Sequence, residues 1–240
     1  MSFSLAGKTI VITGAAGGIG AEIATICASL GAALVLADRE TPGAVADRLA
    51  ASGAEVTTAA FDVRDREATE ALIDGLPKLD GVVANAGWCP WDDWADENWD
   101  AVFRDVTDVN VLGVINLMRP ALTRMTKSGG GRAVILASVA GRMGGLKAAP
   151  HYVAAKGGVI AMTKWMARKA APYGVTVNAV APGATATSMT AGQEFDNTGI
   201  PLRRVAHPRE IAWPVAFLLS DAASYICGTT LDVNGGVYMN

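Results

Sequence analysis

A doubly wound α/β domain, with seven parallel strands covered by helices on both faces, is the fold class this chain predicts. Short β-branched runs alternate with longer segments of helical period. Several of those runs lack polar alternation, as strands buried on both faces do. A glycine-rich stretch between the first run and the first helical segment supplies the tight strand-to-helix turn such a sheet needs. The 240 residues contain no internal repeat and no linker rich in Pro, Ser or charge, so one domain spanning 1–240 is expected.

The first strand is expected over 9–13, where TIVIT is wholly β-branched, and Thr13-Gly14-Ala15-Ala16-Gly17-Gly18-Ile19-Gly20 turns it into a helix over 18–30. An apolar strand over 32–37 ends beside Asp38, and Pro42 opens a helix over 42–51. The strand 55–60 leads through Asp62 to a helix over 65–75, and the strand 79–84 ends at Asn85-Ala86-Gly87. One long helix is expected over 97–127, then a strand over 133–137 ending at Ser138, a helix over 152–173, a strand over 175–181, a helix over 208–219 and a last strand over 229–233. Two stretches break the alternation. Residues 88–96 are tryptophan-rich and acidic; residues 184–200 are rich in small residues and read as a flexible lid over the substrate. In an open parallel sheet, ligands bind beyond the carboxyl ends of the strands, where both stretches fall.

Apolar residues make up 51% of the chain and charged residues 18%, a balance that implies surface buried between subunits. A formal net charge of −3 offers no general attraction to nucleic acid or an anionic membrane, and neither is expected as a partner. No stretch is long and apolar enough to span a bilayer, and the start of the chain lacks a basic n-region and a cleavage signal. A cytoplasmic protein is expected. Cys27, Cys89 and Cys227 are odd in number and widely spaced, with neither a disulfide framework nor zinc-ligand spacing. They read as small buried hydrophobes, and no metal is expected.

Glycines at the start of a helix permit close backbone approach, and the unsatisfied N–H groups there suit a pyrophosphate. Gly14, Gly17, Gly18, Ile19 and Gly20 are therefore candidate cofactor contacts. Asp38, about twenty residues further on, is placed to accept hydrogen bonds from both ribose hydroxyls of adenosine, which disfavours a 2′-phosphate and predicts NAD over NADP. Two alternatives stay open: Asp38 as a cap for the next helix, and Arg39 as a phosphate partner.

The spacing Gly14-x-x-x-Gly18-x-Gly20 resembles that of the short-chain dehydrogenase/reductase family, a Rossmann-fold family, and the resemblance extends over nearly the whole chain. It implies an adenine contact at Asp62-Val63 and a cofactor-facing turn at Asn85-Ala86-Gly87. It also implies a nicotinamide clamp at Pro182-Gly183 with Thr185 and Thr187, the backbone of Thr185 serving rather than its hydroxyl. The closing run from Tyr225 to Gly236 is similar to the family's last strand and turn.

Tyr152 and Lys156 lie four apart at the start of a predicted helix, so their side chains share one face. A phenol normally titrates near ~10, and a neighbouring ammonium and an oxidised nicotinamide would each favour its ionised form. Ser138 closes the fifth strand at the same sheet edge. The resemblance implies that Tyr152 takes the hydroxyl proton of a secondary alcohol while hydride passes to the nicotinamide, that Ser138 binds the same oxygen, and that Lys156 also holds the nicotinamide ribose. It assigns Asn110, within Asp108-Val109-Asn110-Val111-Leu112-Gly113, to a local break in the long helix that holds a water linked to Lys156. Ala137 stands where the family often has a second Ser. His151 and His207 have no paired carboxylate or second ligand at a telling spacing and read as structural or surface residues.

Trp88, Pro90, Trp91 and Trp94, with Met143, Met189 and Phe195, read equally as an apolar substrate wall, joined by Ala140 after Ser138, or as aromatics that anchor their own loop or a subunit contact. The main expectation is an NAD-dependent secondary alcohol dehydrogenase or ketoreductase. The alternative is a 3-oxoacyl-acyl carrier protein reductase, against which Asp92, Asp93, Asp96 and Glu97 place negative charge near the entrance. A nucleotide-binding regulator without catalysis is the other class to be weighed; it would need neither Tyr152 nor Lys156. The family usually forms dimers or tetramers, and a homotetramer is expected, with the Tyr238-Met239-Asn240 end at a contact.

Overall fold

The computed structural model describes residues 3–145 and 147–239. Asn240, which ends the run expected at a subunit contact, lies outside the described residues. Seven strands form one sheet: β1 (Thr9–Thr13), β2 (Ala33–Asp38), β3 (Val56–Ala60), β4 (Gly81–Ala84), β5 (Gly131–Leu136), β6 (Val175–Pro182) and β7 (Thr230–Val233). All pairs are parallel, in the order β3-β2-β1-β4-β5-β6-β7. The winding reverses between β1 and β4, and that reversal opens a crevice at their carboxyl ends.

Alternation along the strands feeds two cores. Ile10 and Ile12 of β1 pack with α1 (Gly18–Ser29), α2 (Gly43–Ala51) and α8 (Pro208–Leu219) through Ile23, Val45 and Ile211. Val11, between them, faces the other core, with α3 (Arg66–Gly75), α5 (Gly113–Ser128) and α7 (Pro150–Ala170) through Ile73, Leu117 and Val159. Helix ends follow local chemistry. Asp65 caps α3 by accepting from the Ala68 N–H at 3.0 Å. His207 and Glu210 cap α8 reciprocally, with Pro208 at its first position.

The long helix expected over 97–127 is corrected to three pieces: α4 (Trp99–Thr107), a π-helical turn Asp108–Leu112, and α5. Asn110 is the cause. Its amide donates to the Val106 carbonyl at 2.9 Å, competing with the backbone ladder at that turn. A short helix, α6 (Ala140–Met143), follows β5 where no element was expected. Gly141 allows it to lie against α7: a Cβ there would sit 2.5 Å from the Lys156 carbonyl carbon. No helix of the described residues is long and apolar enough to cross a membrane.

Candidate active site

One crevice of about 910 Å³ opens at the sheet's carboxyl edge, the size of a site for a large ligand. Every catalytic and cofactor-binding residue expected from the sequence lines it except Gly20 and Asn110.

Its floor is backbone. Gly14 adopts φ 66, and a Cβ there would lie 2.8 Å from both Ala86 Cα and Asn85 Nδ2. At Gly20 a Cβ would fall 2.0 Å from the Gly14 carbonyl oxygen. Asn85 closes the gap between β1 and β4 by donating to the Thr13 and Gly14 carbonyls at 3.0 and 2.9 Å. Above Gly17 a Cβ would meet nothing, so the turn is open on the crevice side, where the N-terminus of α1 presents its N–H groups. A dinucleotide fits this cradle.

Asp38, at the end of β2, does not cap α2, whose N-terminal residue Pro42 receives no side-chain cap. Its carboxylate instead accepts from the Ala16 N–H at 2.9 Å and the Arg39 N–H at 2.8 Å, which fixes it over the glycine turn. Asp62 is held below the usual carboxylate range, chiefly by its hydrogen bond from Arg64. The buried Asn116 amide donates to the Val63 and Arg64 carbonyls at 3.0 and 3.1 Å, a support for the Asp62–Val63 corner that sequence reasoning missed.

Beyond β6, Thr185 lines the crevice, and its hydroxyl donates to the Gly183 carbonyl at 3.0 Å. The Thr187 side chain reaches the glycine turn: a Cβ on Gly18 would come within 3.2 Å of Thr187 Cγ2. Thr190, unforeseen, fastens this corner by donating to the Thr185 carbonyl at 2.7 Å and accepting from the Thr187 N–H at 3.0 Å.

Tyr152 and Lys156 project from the first turns of α7. Lys156 is 3% exposed, its Nζ donates to the Leu136 carbonyl at 2.8 Å, and burial pushes its pKa down to about 8. It is still an ammonium at neutral pH. Its Nζ stands 5.6 Å from the centre of the Tyr152 ring. The expectation that the pair lowers the phenol's pKa is corrected: withdrawal from water pushes Tyr152 up, the nearby Cys89 adds to this, and only the hydrogen bond with Ser138 opposes it. Ser138 Oγ accepts from the Ala140 N–H at 3.1 Å and its hydroxyl is hydrogen-bonded to Tyr152, so serine and phenol meet at one point of the crevice. Fully buried Asn110 accepts from the Trp88 N–H at 3.2 Å and donates to the Trp88 carbonyl at 2.8 Å. It lies under Gly87, where a Cβ would meet Asn110 Oδ1 at 2.9 Å and Lys156 Nζ at 3.4 Å.

The substrate wall is narrower than expected. Trp88, Trp91, Met143, Met189 and Phe195 line the crevice, and so does Cys89, whose thiol burial pushes up to about 11. Pro90 and Trp94 are not part of it, and Trp94 is 73% exposed. The stretch 184–200 contributes a cover to the crevice: it holds the turns Ser188–Thr190 and Asn197–Gly199, pairs Thr185 with Ala206, and receives Trp91 Nε1 at the Met189 carbonyl, 2.8 Å away. Two further expectations change. His151 does have a carboxylate partner, because the fold brings Asp92 to 2.9 Å of its Nε2, and Asp92 is thereby withdrawn from the acidic rim. Cys227 is exposed, unlike Cys27 and Cys89.

A family model described as enoyl-(acyl carrier protein) reductase matches residues 14–238. The 3-oxoacyl-[acyl-carrier-protein] reductase of Vibrio harveyi is 38% identical over 244 residues, covering 98% of this chain and 99% of that protein. Among solved structures, a 3-oxoacyl-[acyl-carrier protein] reductase from Brucella melitensis with bound NAD superposes with a TM-score of 0.91 at 34% identity, covering 99% of this chain and 94% of that one. A candidate NAD(P)-dependent gluconate 5-dehydrogenase from Beutenbergia cavernae, with NADP at low occupancy, gives 0.92 at 36% identity, covering 98% of each chain.

Proposed function

Because this chain belongs to the short-chain dehydrogenase/reductase family, an oxidoreductase family acting on hydroxyl and keto carbons, we propose that Tyr152, Lys156 and Ser138 serve proton transfer while hydride moves between NAD and a ketone or secondary alcohol. The observation that carries this reading is the convergence of those three side chains beside the glycine cradle, in one crevice. Tyr152 is the proton donor and acceptor at the substrate oxygen, and the Ser138 hydroxyl turns from Tyr152 to donate a hydrogen bond to the same atom. The hydrogen bond from Ser138 favours the phenolate against the desolvation that opposes it. Bound in its oxidised form, the cofactor supplies the hydride-accepting carbon and a further positive charge. Asn110 holds Trp88 and the floor beneath Gly87 and Lys156 rather than touching the substrate itself.

Asp38 supports NAD, since its carboxylate is fixed over the turn and would repel a 2′-phosphate. For the substrate, the Vibrio harveyi relative supports a 3-oxoacyl thioester, and the burial of Asp92 against His151 weakens the charge argument against an acidic carrier. A free secondary alcohol is the second reading, favoured by the aromatic faces of Trp88 and Trp91. Phe103, Leu112, Trp165 and Tyr225 leave apolar surface exposed on the single chain, which supports a homotetramer, and light scattering that finds a monomer removes that part.

The test mixes the protein with NADH or NADPH and acetoacetyl thioesters, and with the oxidised cofactors and secondary alcohols, following reduced-cofactor absorbance. Tyr152→Phe is expected to lower turnover by about a thousandfold while sparing NADH binding. Turnover by that variant comparable to the parent would overturn the assignment, and a preference for NADPH would overturn the cofactor reading.

A further inference from the structure

Between its two fixed points, the entrance loop carries only three residues. Asn110 holds Trp88 through its backbone N–H and carbonyl, and His151 holds Asp92 by its side chain, leaving Cys89, Pro90 and Trp91 between them. His151 is 1% exposed, and its ring stacks on Trp99 of α4 at 5.4 Å with planes 6° apart. Its Nδ1 accepts from the Tyr152 backbone N–H at 2.7 Å. That acceptor role puts the ring proton on Nε2, which donates to Asp92 Oδ2 at 2.9 Å. The loop is thereby registered against the residue next to Tyr152.

Trp91 bears the consequence. It has φ 60, a left-handed backbone that a bulky side chain adopts only where its surroundings enforce it. In that conformation its indole N–H donates to the Met189 carbonyl at 2.8 Å, and its ring meets Phe195 edge-on at 6.1 Å. Met189 and Phe195 both belong to the cover over the crevice.

We propose that Asp92 and His151 are positioning residues: their hydrogen bond holds Trp91 in its strained conformation, and through Trp91 it keeps the 188–196 cover closed over the substrate beside Tyr152. Neither touches the reacting atoms. The pair deepens the function proposed above and rests on it for its kinetic readout, but its structural readout stands alone.

The test compares Asp92→Ala, Asp92→Asn and His151→Phe with the parent, each as the full chain with NADH bound. Hydrogen exchange over 188–196 and the kcat and KM for ketone reduction are read, with NADH affinity as the control for folding. Asp92→Ala is expected to speed exchange in the cover and raise KM, each by about tenfold, with a smaller change in kcat and none in NADH affinity. Asp92→Asn keeps an acceptor for the imidazole N–H and is expected to restore most of both. His151→Phe keeps the stack on Trp99 but loses the donor, and should match Asp92→Ala. Exchange and KM unchanged in Asp92→Ala, or Asp92→Asn behaving like Asp92→Ala, would overturn the proposal. If the parent reduces no ketone with either cofactor, the functional reading fails, and the exchange comparison still decides whether the pair holds the cover.

Discussion

The floor of the crevice and its outer wall are built from different materials. Around Gly14 and Gly20 the contacts are with peptide groups and the Asn85 amide, and what matters is the atoms that are missing: a single added carbon at Gly20 would overlap the Gly14 carbonyl. Around Trp88, Trp91 and Met189 the contacts are made by side chains from segments far apart in the chain, as between Trp91 and Met189. A floor of this kind can be spoiled but hardly retuned. A wall of this kind can change its substrate without disturbing the sheet beneath it.

The largest effect should therefore come from the smallest addition. Gly20→Ala forces a methyl group against the Gly14 carbonyl where α1 leaves the sheet and is expected to cost about 3 kcal/mol of stability and about a hundredfold in NADH affinity. Thermal unfolding and a cofactor titration check it. A variant with parental affinity would break the contrast, since it would mean that the floor adapts as a side-chain wall does.

The same contrast explains what was legible in the sequence. Strands and most helices were, because burial on two faces and helical period are written into adjacent residues; α8 was met residue for residue, from Pro208 to Leu219. Gly14, Asp38, Ser138, Tyr152 and Lys156 were legible because each stands at a strand end or a helix start, where local order fixes spatial position. The π-helical turn was not, since Asn110 identifies an odd helical residue but not the carbonyls it takes. Asp92 and His151 lie 59 positions apart, and no local pattern joins them. Gly141 was visible only as part of a run, and its contact with Lys156 needs the unforeseen α6.

A peptide-built floor does not titrate, whereas Tyr152 and Lys156 on α7 do, and this sharpens the comparison at an intermediate size. Lys156 has its pKa lowered to about 8 from 10.5, so between those values the folded protein binds fewer protons than the unfolded chain. Stability should rise with pH across that window, by on the order of 2 kcal/mol at pH 10. Tyr152 acts in the opposite sense above its ordinary value, where the folded state keeps a proton that the unfolded state has lost. Lys156→Met is expected to remove the rise between pH 8 and 10, measured by urea unfolding at each pH. An identical profile in parent and variant would show that the ammonium is not held out of water.

The smallest effect distinguishes wall from surface within a single loop. Trp94 is three residues from Trp91 and of the same type, yet it is 73% exposed and lies outside the crevice, whereas Trp91 lines it and holds the Met189 carbonyl. Trp94→Ala should leave stability within about 0.5 kcal/mol and KM within about twofold, and Trp91→Ala should raise KM by about tenfold. Equal effects of the two substitutions would mean that the loop acts by its bulk. Unequal effects, with Trp91 the larger, would mean that one indole N–H and one ring edge define the wall, because the two residues share their chemistry and differ only in what the fold puts beside them.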